Sequence, residues 1–382
     1  MDPKDLRIAL FSGNYNSVRD GANQALNRLV GYLLRQGAQV RIYSPTIANP
    51  AFEPTGDLVS LPSVPIPGRS EYRLSLGLPL SVRRDLARFA PNVIQVSSPD
   101  LAPRQAVNWA RARGIPAVAS VHTRFETYLD YYHLQRLEPV VRALLRGLYR
   151  KCDAILAPAE STAAVLRAQR MNDNIHIWTR GVDRDQFNPG RRDMEWRRSL
   201  GIADDELAVA FLGRLVLEKG LDVFAAVIAE LRARKVRHKP LVIGDGPARA
   251  SFEQQMPSGV FVGHQVGDDL GRALASADLF FNPSITEAFG NVTLEAMACA
   301  LPVVASSATG TTSLVRDGET GTLVEPGDVE GFADAVQAYA RDPELRRRHG
   351  EAGLAYARTR DWDEINSAVL QVYERVIERR QR

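Results

Sequence analysis

Residues 279–298 read LFFNPSITEAFGNVTLEAMA, and the fold turns on how that stretch divides. Leu279-Phe280-Phe281-Asn282 is a run of bulky apolar residues without alternation. That is the pattern of a strand covered on both faces. From about Asn291 onward good helix formers take over. The unit is therefore strand, turn, helix. Gly290 stands just before the helix start, where exposed amide N–H groups and a positive dipole end face outward. Such a place suits an anion or a hydroxyl.

The same alternation extends in both directions. Leu6–Phe11, Gln39–Tyr43, Val93–Val96, Ala117–Val121 and Ala154–Ala157 read as strands in the first half. Leu207–Leu212, Leu241–Ile243, Val260–Val262, Pro302–Ala305 and Gly321–Val324 join Leu279–Asn282 in the second. Helical patterns lie between most of them, as in Gln24–Gln36 with Leu26, Leu29, Val30, Leu33 and Leu34 at helical spacing. Covered parallel strands with crossover helices give an α/β protein. The Gly/Pro/Asp-rich stretch from Gly181 to Gly190 marks a boundary, so two doubly wound domains are expected, 1–190 and 191–360. A last helix follows from about Asp361. The Pro- and Gly-rich segment Ala48–Leu80 reads as a long loop.

The chain has 382 residues, 45% hydrophobic and 24% charged. Two or three domains fit that length, and a collagen-like, coiled-coil or disordered chain does not fit that composition. No apolar run approaches the ~18–20 residues of a membrane span. The charged start Met1-Asp2-Pro3-Lys4-Asp5 does not look like a signal peptide, and two cysteines, Cys152 and Cys299, imply no disulfide framework. A cytoplasmic location is expected. Residues 1–190 hold 24 Lys+Arg against 16 Asp+Glu, whereas residues 191–382 hold 24 against 29. The basic first half either reflects chance or faces something anionic, such as a membrane surface or nucleic acid. The segment Tyr131–Lys151, with Arg136, Arg142, Arg146, Arg150 and Lys151 beside Leu137, Val140, Val141, Leu144, Leu145 and Leu148, reads equally as a core-facing helix or as one lying on anionic lipid.

Candidate chemistry collects where strands end. Glu287 sits in the turn of the opening stretch and Glu295 about one helical turn beyond the helix start. On spacing alone they are either two sides of one polyhydroxylated ligand's site or a helix-entry carboxylate and a solvated one. In FLGRLVLEKG, residues 211–220, a strand ends at Gly213, and Arg214 and Lys219 follow before the next helix. Ligands of open α/β sheets bind at such carboxyl ends, and two cations there suit a diphosphate, although solvated loop cations look the same. Ile243-Gly244-Asp245-Gly246-Pro247 is another strand end, unspecific by itself. His122 follows the strand Ala117–Val121. Neither a G-x-G-x-x-G fingerprint nor zinc, P-loop or G-x-S-x-G spacing is present.

Together EAFGNVTLEAMA, GRLVLEKG and RGVDRDQF (Arg180–Phe187) resemble the family-4 retaining glycosyltransferases. The likeness runs from DGANQALNRL to the last helix. SVHTRFETY and TEAFGNVTLEAMA most resemble its branch of sulfoquinovosyltransferases and GDP-mannose-dependent mannosyltransferases. The resemblance implies a GT-B fold: two Rossmann-like domains facing across a cleft, the last helix crossing back to the first. It implies hexosyl transfer with retention from a UDP- or GDP-sugar, a co-substrate rather than a cofactor, with no metal. Arg214 and Lys219 would hold the donor diphosphate, Glu287 the transferred sugar and Glu295 the ribose. Gly213 and the backbone of Phe289, Gly290 and Asn291 would line the donor site. Gly21 would admit the phosphates closely, His122 would lie near the reacting sugar and Asp183 in the hinge. Many members carry a Gly pair in the first loop, whereas here Asn14–Gly21 has one glycine, at its end. The acceptor would be a lipid or glycan at the inner membrane face, and no nucleic acid is implied. The alternatives are an epimerase or phosphorylase on the same fold, or a non-catalytic nucleotide-sugar-binding protein.

Overall fold

The computed structural model describes residues 2–66, 69–122 and 135–381. These form two compact units. The first comprises the described residues up to Arg180 together with those from Trp362 onward; the second is Gly181–Asp361. The division falls at the front edge of the stretch read as a boundary.

In the first unit the strands are β1 (Arg7–Phe11), β2 (Gln39–Ser44), β3 (Asp57–Ser60), β4 (Ser63–Ile66), β5 (Arg69–Ser75), β6 (Val93–Val96), β7 (Ala117–Ser120), β8 (Ala154–Ala157) and β9 (Ile175–Ile177). Seven of them make a parallel sheet in the order β3-β2-β1-β6-β7-β8-β9. β6, β7 and β8 are buried along their whole length, as covered strands must be. The helix Gly21–Arg35 starts where the Asp20 carboxylate accepts the Asn23 amide, an N-cap that satisfies one orphan donor. It shares one face of the sheet with the C-terminal helix Trp362–Gln381. Val369, Val372, Tyr373, Val376 and Ile377 of the latter are buried in that core beside Leu26, Leu29 and Leu33. The chain's last helix is thus built into the first unit.

The segment Ala48–Leu80 is not a plain loop. It contributes β3 to the sheet edge and the antiparallel hairpin β4–β5. Val64 and Leu74 of the hairpin lie exposed, so the apolar pattern that marks a covered strand is absent there.

The second unit holds β10 (Leu207–Leu212), β11 (His238–Ile243), β12 (Val260–Gly263), β13 (Leu279–Asn282), β14 (Val303–Ser306) and β15 (Gly321–Val324). They form a parallel sheet in the order β12-β11-β10-β13-β14-β15. Under it Phe224 stacks on Phe281 at 5.1 Å between ring centroids, with Phe211, Phe252 and Phe332 around them. That cluster fixes the depth of β10 and β13, the two strands between which the strand order reverses.

Candidate functional site

At the reversal between β10 and β13 the connections leave in opposite directions, and the carboxyl ends of strands at such a reversal are where open α/β sheets take their ligands. Arg214 and Lys219 follow β10, and Glu287 follows β13. Lys219 closes the short turn Leu217–Lys219, and its Nζ donates to Glu287 Oε1 at 2.5 Å. Two residues 68 apart in sequence are thereby one ion pair, partly buried, with 27% and 14% of their side chains exposed. The loop that carries Glu287 is tied down from below. Ser306 Oγ donates to the Pro283 carbonyl at 2.7 Å, and Asn282 Oδ1 accepts the Ser284 amide at 3.1 Å. Thr286 Oγ1 donates to the Glu218 carbonyl at 3.1 Å, joining this loop to the turn that holds Lys219.

The helix Asn291–Ala298 follows directly. Gly290 has φ +97° and no side chain caps the helix. A left-handed entry of this kind favours glycine, and it leaves the N-terminal amides of the helix without a side-chain acceptor. Phe289 and Gly290 are buried and Asn291 half-buried. Burial, and after it the charge of Glu295, half-buried one turn further on, pushes the neighbouring Cys299 thiol up. Gly213 continues β10 by donating its amide to the Ile243 carbonyl at 3.0 Å. A Cβ on Gly244 would stand 1.9 Å from the Gly213 carbonyl oxygen. The glycine after β11, unspecific as a motif, is therefore what lets two site loops lie backbone against backbone. Asp183 Oδ1 accepts the Gln186 amide and its carbonyl the Phe187 amide, which holds the turn entering the second unit.

In the first unit Gly21 opens the helix Gly21–Arg35 behind Asp20. His122 lies two residues beyond the end of β7, partly buried. Its Nε2 is 3.0 Å from Ser120 Oγ and its Nδ1 3.0 Å from an Arg180 guanidinium nitrogen. Arg180 was not among the expected site residues. It is 3% exposed, donates to the Trp178 and Thr179 carbonyls and lies 4.7 Å over the Trp178 ring. Burial, then the charge of Arg180, holds the His122 pKa well below the usual imidazole range. Burial also brings the Arg180 guanidinium down to about 9.

Thr123 to Tyr128 of SVHTRFETY, and residues 131–134 of Tyr131–Lys151, lie outside the described residues. The rest of the latter segment forms the turn Gln135–Leu137 and the helix Glu138–Tyr149. Its apolar residues divide. Leu145 and Leu148 are buried, while Leu137, Val140 and Leu144 are 47%, 56% and 51% exposed. Among the described residues no group of three or more His, Cys, Asp or Glu could hold a metal ion, and no helix is long and apolar enough to cross a membrane.

Residues 19–186 match the family described as Glycosyltransferase Family 4, and residues 206–342 that described as Glycosyl transferases group 1. The chain is 31% identical to sulfoquinovosyl transferase SQD2 of Arabidopsis thaliana, over 95% of this chain and 73% of that one. It is also 31% identical to a GDP-mannose-dependent alpha-mannosyltransferase of Mycolicibacterium smegmatis, over 98% and 99%. Among solved structures, sucrose-phosphate synthase of Thermosynechococcus elongatus superposes with a TM-score of 0.81, covering 98% of this chain and 99% of that one at 20% identity. At that identity the likeness concerns the fold, which is GT-B.

Proposed function

The chain belongs to glycosyltransferase family 4 and is a retaining glycosyltransferase, and from that membership we propose how its residues divide the work. The donor is a UDP- or GDP-sugar. The Lys219–Glu287 pair at the strand reversal of the second unit carries the reading. A diphosphate arriving at the carboxyl edge draws on the Lys219 ammonium and the Arg214 guanidinium. Both become more valuable as negative charge builds on the departing phosphate, which is how fixed cations lower a barrier rather than merely tighten binding. Glu287 then turns its acceptor capacity to the sugar's hydroxyls, and Glu295 to the ribose. The capless start of the helix Asn291–Ala298, with Phe289, Gly290 and Asn291, supplies amide donors. Gly213 keeps the loop low beneath them.

Retention through a double displacement requires a carboxylate nucleophile under the anomeric carbon. The carboxylate held at this edge, Glu287, is already committed to Lys219. Same-face attack fits better, with the leaving phosphate oxygen taking the acceptor's proton. The chemistry asked of the protein is then positioning and charge stabilisation. Gly21 and His122 are the first unit's contributions in this reading, and Asp183 shapes the segment leading into the second.

The acceptor in this proposal is a lipid or glycolipid hydroxyl, reached from a peripheral position on the inner membrane face. The exposed Leu137, Val140 and Leu144 support it, as does the excess of cations over residues 1–190. The test is a panel of UDP-, GDP- and ADP-sugars with the purified chain. One donor class should raise the melting temperature by binding the native state and release nucleoside diphosphate only when a lipid acceptor is added. Binding without release under every acceptor condition would leave a nucleotide-sugar-binding protein instead.

A further inference from the structure

The functional reading counts His122 among the first unit's contributions without saying what its ring does. We propose that Arg180 locks His122 as a neutral imidazole with its proton on Nε2, so that the ring positions and does not exchange protons, with Ser120, Gln95 and Tyr373 as positioning residues behind it. The inference rests on the functional reading only for His122's place in the reaction; the lock itself follows from the hydrogen bonds.

A guanidinium can only donate. The Arg180 nitrogen 3.0 Å from Nδ1 therefore points its N–H at a lone pair, and Nδ1 carries no proton. The ring's proton must be on Nε2, where it is donated to Ser120 Oγ at 3.0 Å. Ser120 Oγ also receives Gln95 Nε2 at 3.1 Å, and Gln95 Oε1 accepts the phenol of Tyr373 from the C-terminal helix. Ser120, Gln95 and Tyr373 are 3%, 1% and 0% exposed. Both ring nitrogens are thus occupied, one as acceptor and one as donor, in a chain of bonds whose other members are buried.

Arg180 has little freedom to let go. Its other terminal nitrogen bonds the Trp178 and Thr179 carbonyls at 2.7 and 3.1 Å, and Trp178 is itself pinned by its indole N–H to Asn366 Oδ1 at 3.2 Å. The Trp178 ring meets His122 edge-on at 5.4 Å. A second proton on His122 would face the Arg180 N–H head on and set two like charges side by side in a dry place. Arg180 is the charged group that acts on His122 among the described residues; Ser120 and Trp178 complete its surroundings. The acceptor's proton therefore does not travel through this imidazole.

The test uses the full chain labelled with 15N-histidine, the His122 signals being assigned by their loss in His122→Gln. Long-range proton–nitrogen correlation should show the Nε2–H tautomer, unchanged between about pH 5.5 and about pH 8.5, a span that brackets the ordinary imidazole value. The pH profile of kcat should show no limb near that value. A titrating ring, or one protonated on Nδ1, overturns the lock whatever the rate. Arg180→Lys, which still donates, should keep the tautomer, and Arg180→Met should release it into a titrating mixture with kcat lowered more than KM. Should Arg180→Met not fold, the wild-type spectrum decides alone. If His122→Ala transfers sugar at the wild-type rate while the wild-type ring is locked, the functional reading of His122 fails and the lock stands.

Discussion

Lys219 and Glu287 hold each other at the strand reversal, and that has a cost and a use. Neither side chain needs to be recruited when a donor arrives, so little ordering entropy is lost at that step. Removing Lys219 leaves Glu287 charged and partly buried without this partner, which costs on the order of 1–3 kcal/mol. Lys219→Ala should therefore lower stability as well as turnover, whereas Lys219→Met combined with Glu287→Gln should recover the stability and none of the activity. Arg214→Ala should share the loss of turnover, about 100-fold or more in kcat for each cation, the range for a lost charge-stabilising donor. Denaturant titration and steady-state kinetics on the same preparations check both halves. Near-normal rates in both folded single variants would remove the two cations from the reaction. These residues were legible because each sits within a few positions of a strand end in a local motif. The contacts themselves, Lys219 with Glu287 and Arg180 with His122, were not, since they join residues 68 and 58 apart. Nothing in the local composition around Arg180 announces a buried guanidinium whose acceptors are two carbonyls and an imidazole.

Strand-turn-helix units carry the site, and what they demand of their glycines is measurable. Gly290 needs a left-handed backbone, φ +97°, but a Cβ there would find nothing nearer than 3.4 Å. Gly290→Ala should therefore pay conformational strain alone, about 1–2 kcal/mol, and raise the donor KM by tilting the helix start. Gly244→Ala must in addition push apart two backbones, since its Cβ would fall 1.9 Å from the Gly213 oxygen. It should reach or pass the ~3 kcal/mol end of overpacking costs and displace the loop of Arg214. Equal unfolding free energies for the two variants would show that the loops after β10 and β11 separate freely. At this scale the pattern of covered strands carried most of the fold, because the strands of the second sheet and the middle of the first each carry a short apolar run. It missed β3, β9 and the β4–β5 hairpin, where edge position leaves side chains half in water and Pro65 stands within β4. Such strands are held by neighbours, and composition alone reads them as loop.

Across the whole molecule the charge asymmetry and one exposed apolar face point the same way. Leu137, Val140 and Leu144 recur at spacings of three and four, so they share a face at the start of the helix Glu138–Tyr149. Each is about half exposed. Inserting them into a lipid interface would gain roughly 1 kcal/mol apiece, and ~3 kcal/mol is somewhat over 100-fold in partition. That is marginal anchoring by itself, comparable to a single weak membrane signal. On an anionic surface the surplus of cations in residues 1–190 would supply the second signal, and its contribution would fade as salt shortens the screening length. Flotation should therefore be strong with anionic vesicles at low salt, weaker but present at high salt, and weak with neutral vesicles at any salt. Val140→Asp with Leu144→Asp should abolish the salt-resistant part and leave the melting temperature unchanged, because both side chains are exposed already. If the double variant floats as the wild type does, this face is not the one that meets lipid, and the acceptor must be brought to the enzyme in another way.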